Sequence, residues 1–550
     1  MSTLFTNGAL FDGHRYVGPG EVLVEAGRIV AVTGGFETVA GATSSTTGVS
    51  TTVIDLEGGL LAPGFVDAHV HAVQGGLERT RCDLTEGDSR DDYLRIIKEY
   101  ADAHPDRPWI LGGGWAMSAF PGGTPTAADL DAVVPDRPVF LPNRDHHGAW
   151  VNTRALELAG ISRDTPDPAD GRFERDADGQ PTGTLHEGAM HAVARLTPQT
   201  TDDEYYAALL EGQRYLHSYG VTGWQDAIVG AYAGMDDPGP TYLRAAREGD
   251  LSAHVVGALW WDRSRGAEQI PDLVARREQY THGQFRATSV KVMQDGVAEN
   301  FTAALVEPYL DRCGHATSNT GHSFVDPQAL REYVRLLDAV GFQVHVHAIG
   351  DRGAREALDA FEGTDPERRH HIAHLQLVDP DDVRRFGELG VAANLQMLWA
   401  CLDEQMVELT LPFLGPERTA WQYPFGDLER AGARLVAGSD WPVSTPNPME
   451  AIHVAVNRMA YGEQGAAGHE RFLPEQAIAL ESAFAAYTSG SAWVNHRGPD
   501  DVGGAGVLRP GATADLVVLD RDPFAGSADD IGGTRVVSTW VDGTAVHRQS

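Results

Sequence analysis

His69 and His71 stand two residues apart in Gly64-Phe-Val-Asp-Ala-His-Val-His71, a stretch that leaves a Pro-Gly turn at Pro63 and Gly64. Phe65, Val66, Ala68 and Val70 make it apolar and β-prone, so it reads as a strand whose alternate side chains share a face. Both imidazoles then point the same way and can hold one metal ion, as borderline ligands suited to zinc and its first-row neighbours. Histidines hydrogen-bonded at a strand end are the plainer reading of an isolated His-x-His, so the rest of the chain has to decide.

Four more polar residues interrupt or follow stretches that otherwise read as apolar strands: Lys291 in Ser-Val-Lys-Val-Met-Gln-Asp295, His347 in Val-His-Val-His-Ala-Ile-Gly-Asp351, His374 in His-Ile-Ala-His-Leu-Gln376 and Asp440 in Gly-Ser-Asp-Trp-Pro442. Such groups are costly there unless paired or ligated. Lys291 is one of only two lysines, with Lys98, in a chain that otherwise uses arginine. Burial lowers the pKa of an ammonium, and a neutral amine can add carbon dioxide to give a carbamate able to bridge two metal ions. An ion pair of Lys291 with Asp295 or Glu299 is the structural alternative. Asp440 could hold a metal through one oxygen and serve as general base and acid through the other. A turn or helix cap is the competing use of an aspartate after Gly-Ser.

The elements that must position these residues follow from pattern. Residues 3 to 57 read as short strands broken by Gly and Asp turns, with a Gly/Thr/Ser-rich loop at 41–51 expected to be mobile. Strands are expected again at 514–520 and 535–546, the latter folding at an Asp542-Gly543 hairpin. Neither end holds enough strands alone, so the two are expected to join in one small β-sandwich, 1–62 with 491–550. Between them short strands alternate with helical stretches, the pattern of a (β/α)₈ barrel over 63–490. The strands fall at 64–71, 221–227, 253–260, 289–293, 342–347, 371–377, 391–397 and 434–437. The interval after the first strand is too long for one connection, which implies an insertion, about 75–215, over the loop face where barrels of this kind carry their sites.

At 550 residues and 42% hydrophobic the chain has ample core, and its formal charge of −35 disfavours nucleic acid and anionic membrane as partners. Cys82, Cys313 and Cys401 are odd in number and dispersed, against a disulfide framework. No signal-like N-terminus and no long apolar run is seen, so a cytoplasmic protein acting on a small molecule is expected. There is no Walker or Rossmann glycine motif and no Gly-x-Ser-x-Gly elbow.

Taken together, Pro-Gly-Phe-Val-Asp-Ala-His-Val-His71, the strand lysine, His347-Ala-Ile-Gly-Asp351, His374 and Gly-Ser-Asp-Trp-Pro442 resemble the amidohydrolase superfamily, in its large type 3 branch, which includes N-substituted formamide deformylases. The resemblance extends to Gly112-Gly-Gly-Trp115, His147-Gly-Ala-Trp-Val-Asn-Thr-Arg-Ala-Leu156 and Gly183-Thr-Leu-His-Glu187. It implies one or two divalent ions, zinc foremost, with His69, His71 and Asp440 on the first, His347 and His374 on the second, and an N6-carboxylated Lys291 between them. His345 is expected to be structural. A homodimer is implied by the resemblance alone. The implied reaction is hydrolysis of a carboxamide or N-acyl or N-formyl amine by a metal-bound hydroxide, with Asp440 as base and acid. The same barrel acting on esters or lactones, or as a deaminase or isomerase, is the alternative, and a non-catalytic regulatory or binding protein a remoter one. Trp115, His147 and Arg352 are candidate substrate contacts, with packing or capping as their competing roles, and Asp295 a candidate partner of Lys291 or a ligand histidine. At Asp145-His146-His147-Gly148, His146 stands where the family more often has glycine, a departure that bears on the substrate rather than the chemistry.

Overall fold

The computed structural model describes residues 2–34, 51–85, 87–232, 235–462, 470–501 and 503–549; the Gly/Thr/Ser-rich stretch at 41–50 lies outside them. Eight parallel strands form a nearly closed barrel: β1 (Phe65–Val70), β2 (Val221–Val229), β3 (His254–Trp260), β4 (Phe285–Met293), β5 (Gln343–Ala348), β6 (His371–His374), β7 (Ala392–Leu395) and β8 (Leu435–Ala437). Sequential strands pair in register, Lys291 of β4 opposite His345 of β5 and Ala348 of β5 opposite His374 of β6, so polar residues of neighbouring strands reach one end of the barrel together. Between β8 and β1 backbone bonds just past the strands hold the seam: Asp440 N–H donates to the His69 carbonyl and His71 N–H to the Trp441 carbonyl, each at 2.8 Å. Gly438 permits this approach, because a Cβ there would stand 2.7 Å from the His69 Cβ.

Helices wrap the strands for ordinary sequence reasons. Pro327–Ala339 starts at Asp326, whose carboxylate accepts from the amides of Gln328 and Ala329, and buries Leu330, Val334 and Leu337 on one stripe. Pro380–Leu389 starts at Asp379 in the same way and stops at Gly390, which takes the left-handed conformation at φ +69°.

Two further sheets flank the barrel. Both chain ends share one sheet of eight strands, in which Leu516–Leu519 lies antiparallel to Leu60–Pro63 and couples the C-terminal strands to the segment leading into β1. Between β1 and β2 a six-stranded sheet runs from Gly171–Arg175 at one edge to Cys82–Asp83 at the other. Among the described residues no helix is long and apolar enough to cross a membrane.

Candidate active site

The ends of the barrel strands gather His69, His71, Lys291, His347, His374 and Asp440 around one cavity of about 580 Å³. The hydrogen-bond partners of the rings decide which nitrogens face it. Gln225 donates its amide to Gln343 Oε1 and Asn495 Oδ1, so its own Oε1 is an acceptor, and it lies 2.7 Å from His345 Nδ1 and 3.1 Å from His371 Nε2. His345 therefore carries its proton on Nδ1, and burial holds the ring neutral by pushing its pKa well below the ordinary 6.5. Its bare Nε2 accepts from His69 Nδ1–H at 2.9 Å, which leaves His69 Nε2 bare as well. That lone pair faces Asp440 Oδ1 at 3.1 Å, with both side chains buried.

Asp440 Oδ1 is also 2.9 Å from His71 Nε2, and Oδ2 is 4.0 Å from His374 Nδ1. The buried Nδ1 atoms of His71 and His374 make no hydrogen bond. His347 spends its Nε2 on the Gly296 carbonyl at 3.2 Å, and its ring centroid lies 4.4 Å from that of His374. Ligand atoms of His69, His374 and Asp440 lie within 4.8 Å of one another. A bare His69 nitrogen beside a carboxylate, with buried ring nitrogens of His71 and His374 left without hydrogen bonds, is a donor set that fits a divalent metal ion.

Backbone strain helps to aim the set. His374 and Asp440, each just at or past a strand end, take positive φ of 80° and 57°, a conformation non-glycine residues adopt at some cost. Asp67 ties the two sides of the seam: its Oδ1 accepts from the amides of His69 and Ser439, each at 3.0 Å.

Lys291 is buried against the cavity, and burial lowers its pKa from 10.5 to about 8. Its proposed ion-pair partners are engaged elsewhere: Asp295 accepts from the amides of Ile349, Gly350 and Ala304, and Glu299 from the Thr410 hydroxyl. Asp295 thus fixes the loop after β5. It stands 3.6 Å from His347 Nε2, beyond hydrogen-bond reach.

His147 lines the cavity from the six-stranded sheet side, its Nδ1 donating to both oxygens of Glu187 at 3.0 Å. Burial alone would lower its pKa, yet the Glu187 carboxylate outweighs that and raises it from 6.5 to about 9, so the ring is an imidazolium at neutral pH. Two expected substrate contacts lie elsewhere. Trp115 is 1% exposed, packs edge-on to Phe120 and Trp150, and donates its indole N–H to the Leu141 carbonyl. It is core of the inserted segment, because a large ring with its one polar atom satisfied internally is most stable there. Arg352 donates to Leu305 O, Ser323 Oγ and Thr320 O in the loop before β5, pairs with Glu356 at 3.6 Å, and is not part of the cavity wall.

The profile of the amidohydrolase family matches residues 52–547. The chain belongs to the amidohydrolase family. Among relatives of this amidohydrolase, a putative amidohydrolase, YtcJ, of Bacillus subtilis is 30% identical over 90% of each chain. The N-substituted formamide deformylase of Arthrobacter pascens is 26% identical over 95% of this chain and 94% of its own. Among solved structures, an uncharacterised metal-dependent hydrolase from Pyrococcus horikoshii OT3 superposes with a TM-score of 0.72 at 26% identity, covering 96% of this chain and 99% of its own. As a member of this family the protein is a hydrolase.

Several residues of this amidohydrolase site escaped sequence reasoning. Gln225 carries no chemical signature of its own, since its role exists only through partners on β5 and β6. Asp145 and Gln74 join the cavity wall, and Gln74 donates to His146 Nδ1 at 2.8 Å. Asp67 could have been suspected, as an aspartate inside an apolar strand two residues before His69.

Proposed function

We propose that this amidohydrolase hydrolyses the C–N bond of a carboxamide, with N-acyl and N-formyl amines as its substrate class. His69, His71, His347, His374 and Asp440 would hold one or two divalent ions, and zinc suits this nitrogen and oxygen set best. With a second ion, Lys291 would bridge as its carbamate, formed when the neutral amine adds to carbon dioxide and releases a proton. The observation that carries the reading is the bare His69 Nε2 facing Asp440 Oδ1 at 3.1 Å, two buried acceptors that need a cation or a proton between them. When bound, such an ion acts as a Lewis acid on the carbonyl and makes water a competent nucleophile near neutral pH.

The side chains supply the rest. Asp440, with one carboxylate oxygen turned to the cavity, takes a proton from the attacking water and passes it to the departing nitrogen. The His147 imidazolium donates to the carbonyl oxygen as negative charge builds on it, and Glu187 keeps that proton in place. Trp399, stacked on His374 at 5.4 Å with the planes 1° apart, forms an apolar wall beside the cleaved bond.

Asp440→Asn and Lys291→Ala should each abolish amide turnover while thermal melting and far-UV circular dichroism stay those of the parent. Full activity in either variant would remove the mechanism. Paired amides and esters of one acyl group decide the bond type, since faster ester cleavage by orders of magnitude, with no amide turnover, would move the protein to the ester alternative.

A further inference from the structure

The catalytic cavity opens into a vestibule of about 2600 Å³, and the two share Asp145, Val297, Ile349, Trp399 and Val443 as a common neck. Among the described residues the vestibule wall carries eight carboxylate side chains against two arginines and no lysine. One of the two arginines is neutralised within the fold. Arg79 is paired with Glu211 at 3.0 Å and lies over the Tyr215 ring, and Arg144 donates to the carbonyls of Gly114 and Thr85.

A chain with charge −35 has acidic surfaces everywhere, but solvated surface carboxylates do not explain the ones at the neck. Glu78 is 8% exposed, lines the vestibule, and has a buried Oε2 without any hydrogen-bond partner. Its other oxygen lies 3.4 Å from His146, whose ring lines the catalytic cavity, so Glu78 sits where the two spaces meet. Asp145 is close enough for its charge to be felt at Glu299 and has the His147 imidazolium as its cationic neighbour, whereas among the described residues no arginine or lysine forms an ion pair with Glu78 or Glu299. Burial raises the Glu78 pKa from 4.5 to about 8, and a ligand that brings a cation beside it offsets the cost of ionising it there.

We infer that the substrate carries a cationic group, a protonated amine, guanidinium or quaternary ammonium, on the part that runs from the cleaved bond through the neck into the vestibule. Glu78 and Glu299 neutralise it, and Trp399 and Trp441 line the same space. This rests on the C–N hydrolase reading above for the reaction, though the pocket stands on its own residues.

Three formamides of one length separate the cases: N-formyl-1,5-diaminopentane with a cationic end, N-formylhexylamine with a neutral one, and N-formyl-6-aminohexanoate with an anionic one. The metal-loaded enzyme is expected to favour the cationic over the neutral amide by about tenfold or more in kcat/KM, through KM, and to disfavour the anionic one. Glu299→Gln should narrow the cationic-to-neutral ratio. Calorimetric titration with benzyltrimethylammonium, against benzyl alcohol as neutral control, reads the pocket without turnover. Equal or better turnover of the neutral amide, or equal binding of the two probes, overturns the inference. If no formamide is cleaved but the ammonium probe binds and Glu299→Gln weakens it, the C–N reading falls and the cation pocket stands.

Discussion

At the scale of single residues, the unexpected feature is that a glutamine sets the protonation of the metal site. Gln225 Oε1 fixes the proton of His345 on Nδ1, His345 fixes that of His69, and the result is a bare nitrogen aimed at Asp440. Gln225→Leu removes the acceptor that orders this relay, and substitutions of groups that orient ligands commonly lower metal affinity by about 10–100-fold. Metal content after dialysis against a graded chelator should fall accordingly, and retention equal to the parent would show that the relay does not set the tautomer. The His147–Glu187 pair makes a second prediction. Folding raises the His147 pKa from 6.5 to about 9, so the stabilisation it lends is fully present below 6.5 and is lost as pH rises through about 9. The kcat/KM profile should fall on its alkaline side near that value, and Glu187→Gln should move the fall toward neutral pH. An alkaline limb that stays put in Glu187→Gln would assign it to another group.

At the scale of elements, the strands were legible because burial on both faces writes continuous apolar runs bounded by turns. All eight barrel strands overlap the expected segments. Asp326 and Asp379, each directly before a proline, cap the helices that follow them. What sequence could not supply is which side chains an irregular segment turns inward. Gly112-Gly-Gly-Trp115 and Arg352 sit beside strand ends and looked poised for a ligand, yet the indole of Trp115 finds its acceptor in a neighbouring strand and Arg352 finds three in one loop. Those partners are local to the fold and distant in sequence. Trp115→Ala should therefore act on the inserted segment rather than on the substrate, costing about 3–5 kcal/mol as a large core truncation does. Hydrogen exchange should rise across 82–187, while Trp115→Phe should keep KM within about twofold of the parent. A large rise in KM for Trp115→Phe with unchanged exchange would return Trp115 to the substrate pocket.

For the whole molecule, charge acts on stability and on substrate capture in opposite senses. A formal charge of −35, from 78 acidic and 43 basic residues, makes the folded state repel itself, and salt screens that repulsion as the Debye length falls from ~30 Å at 0.01 M to ~8 Å at 0.15 M. Over this range the melting temperature should rise. The same screening weakens the long-range attraction of an acidic vestibule for a cationic substrate, so kcat/KM for N-formyl-1,5-diaminopentane should fall while that for N-formylhexylamine changes little. Conformational loosening at low salt would instead make both substrates improve together as the fold tightens. A single ionic-strength series, read by melting and by the two substrates side by side, separates the field at the vestibule from the cohesion of the chain. If both substrates follow the melting temperature, the vestibule charge has no part in capture.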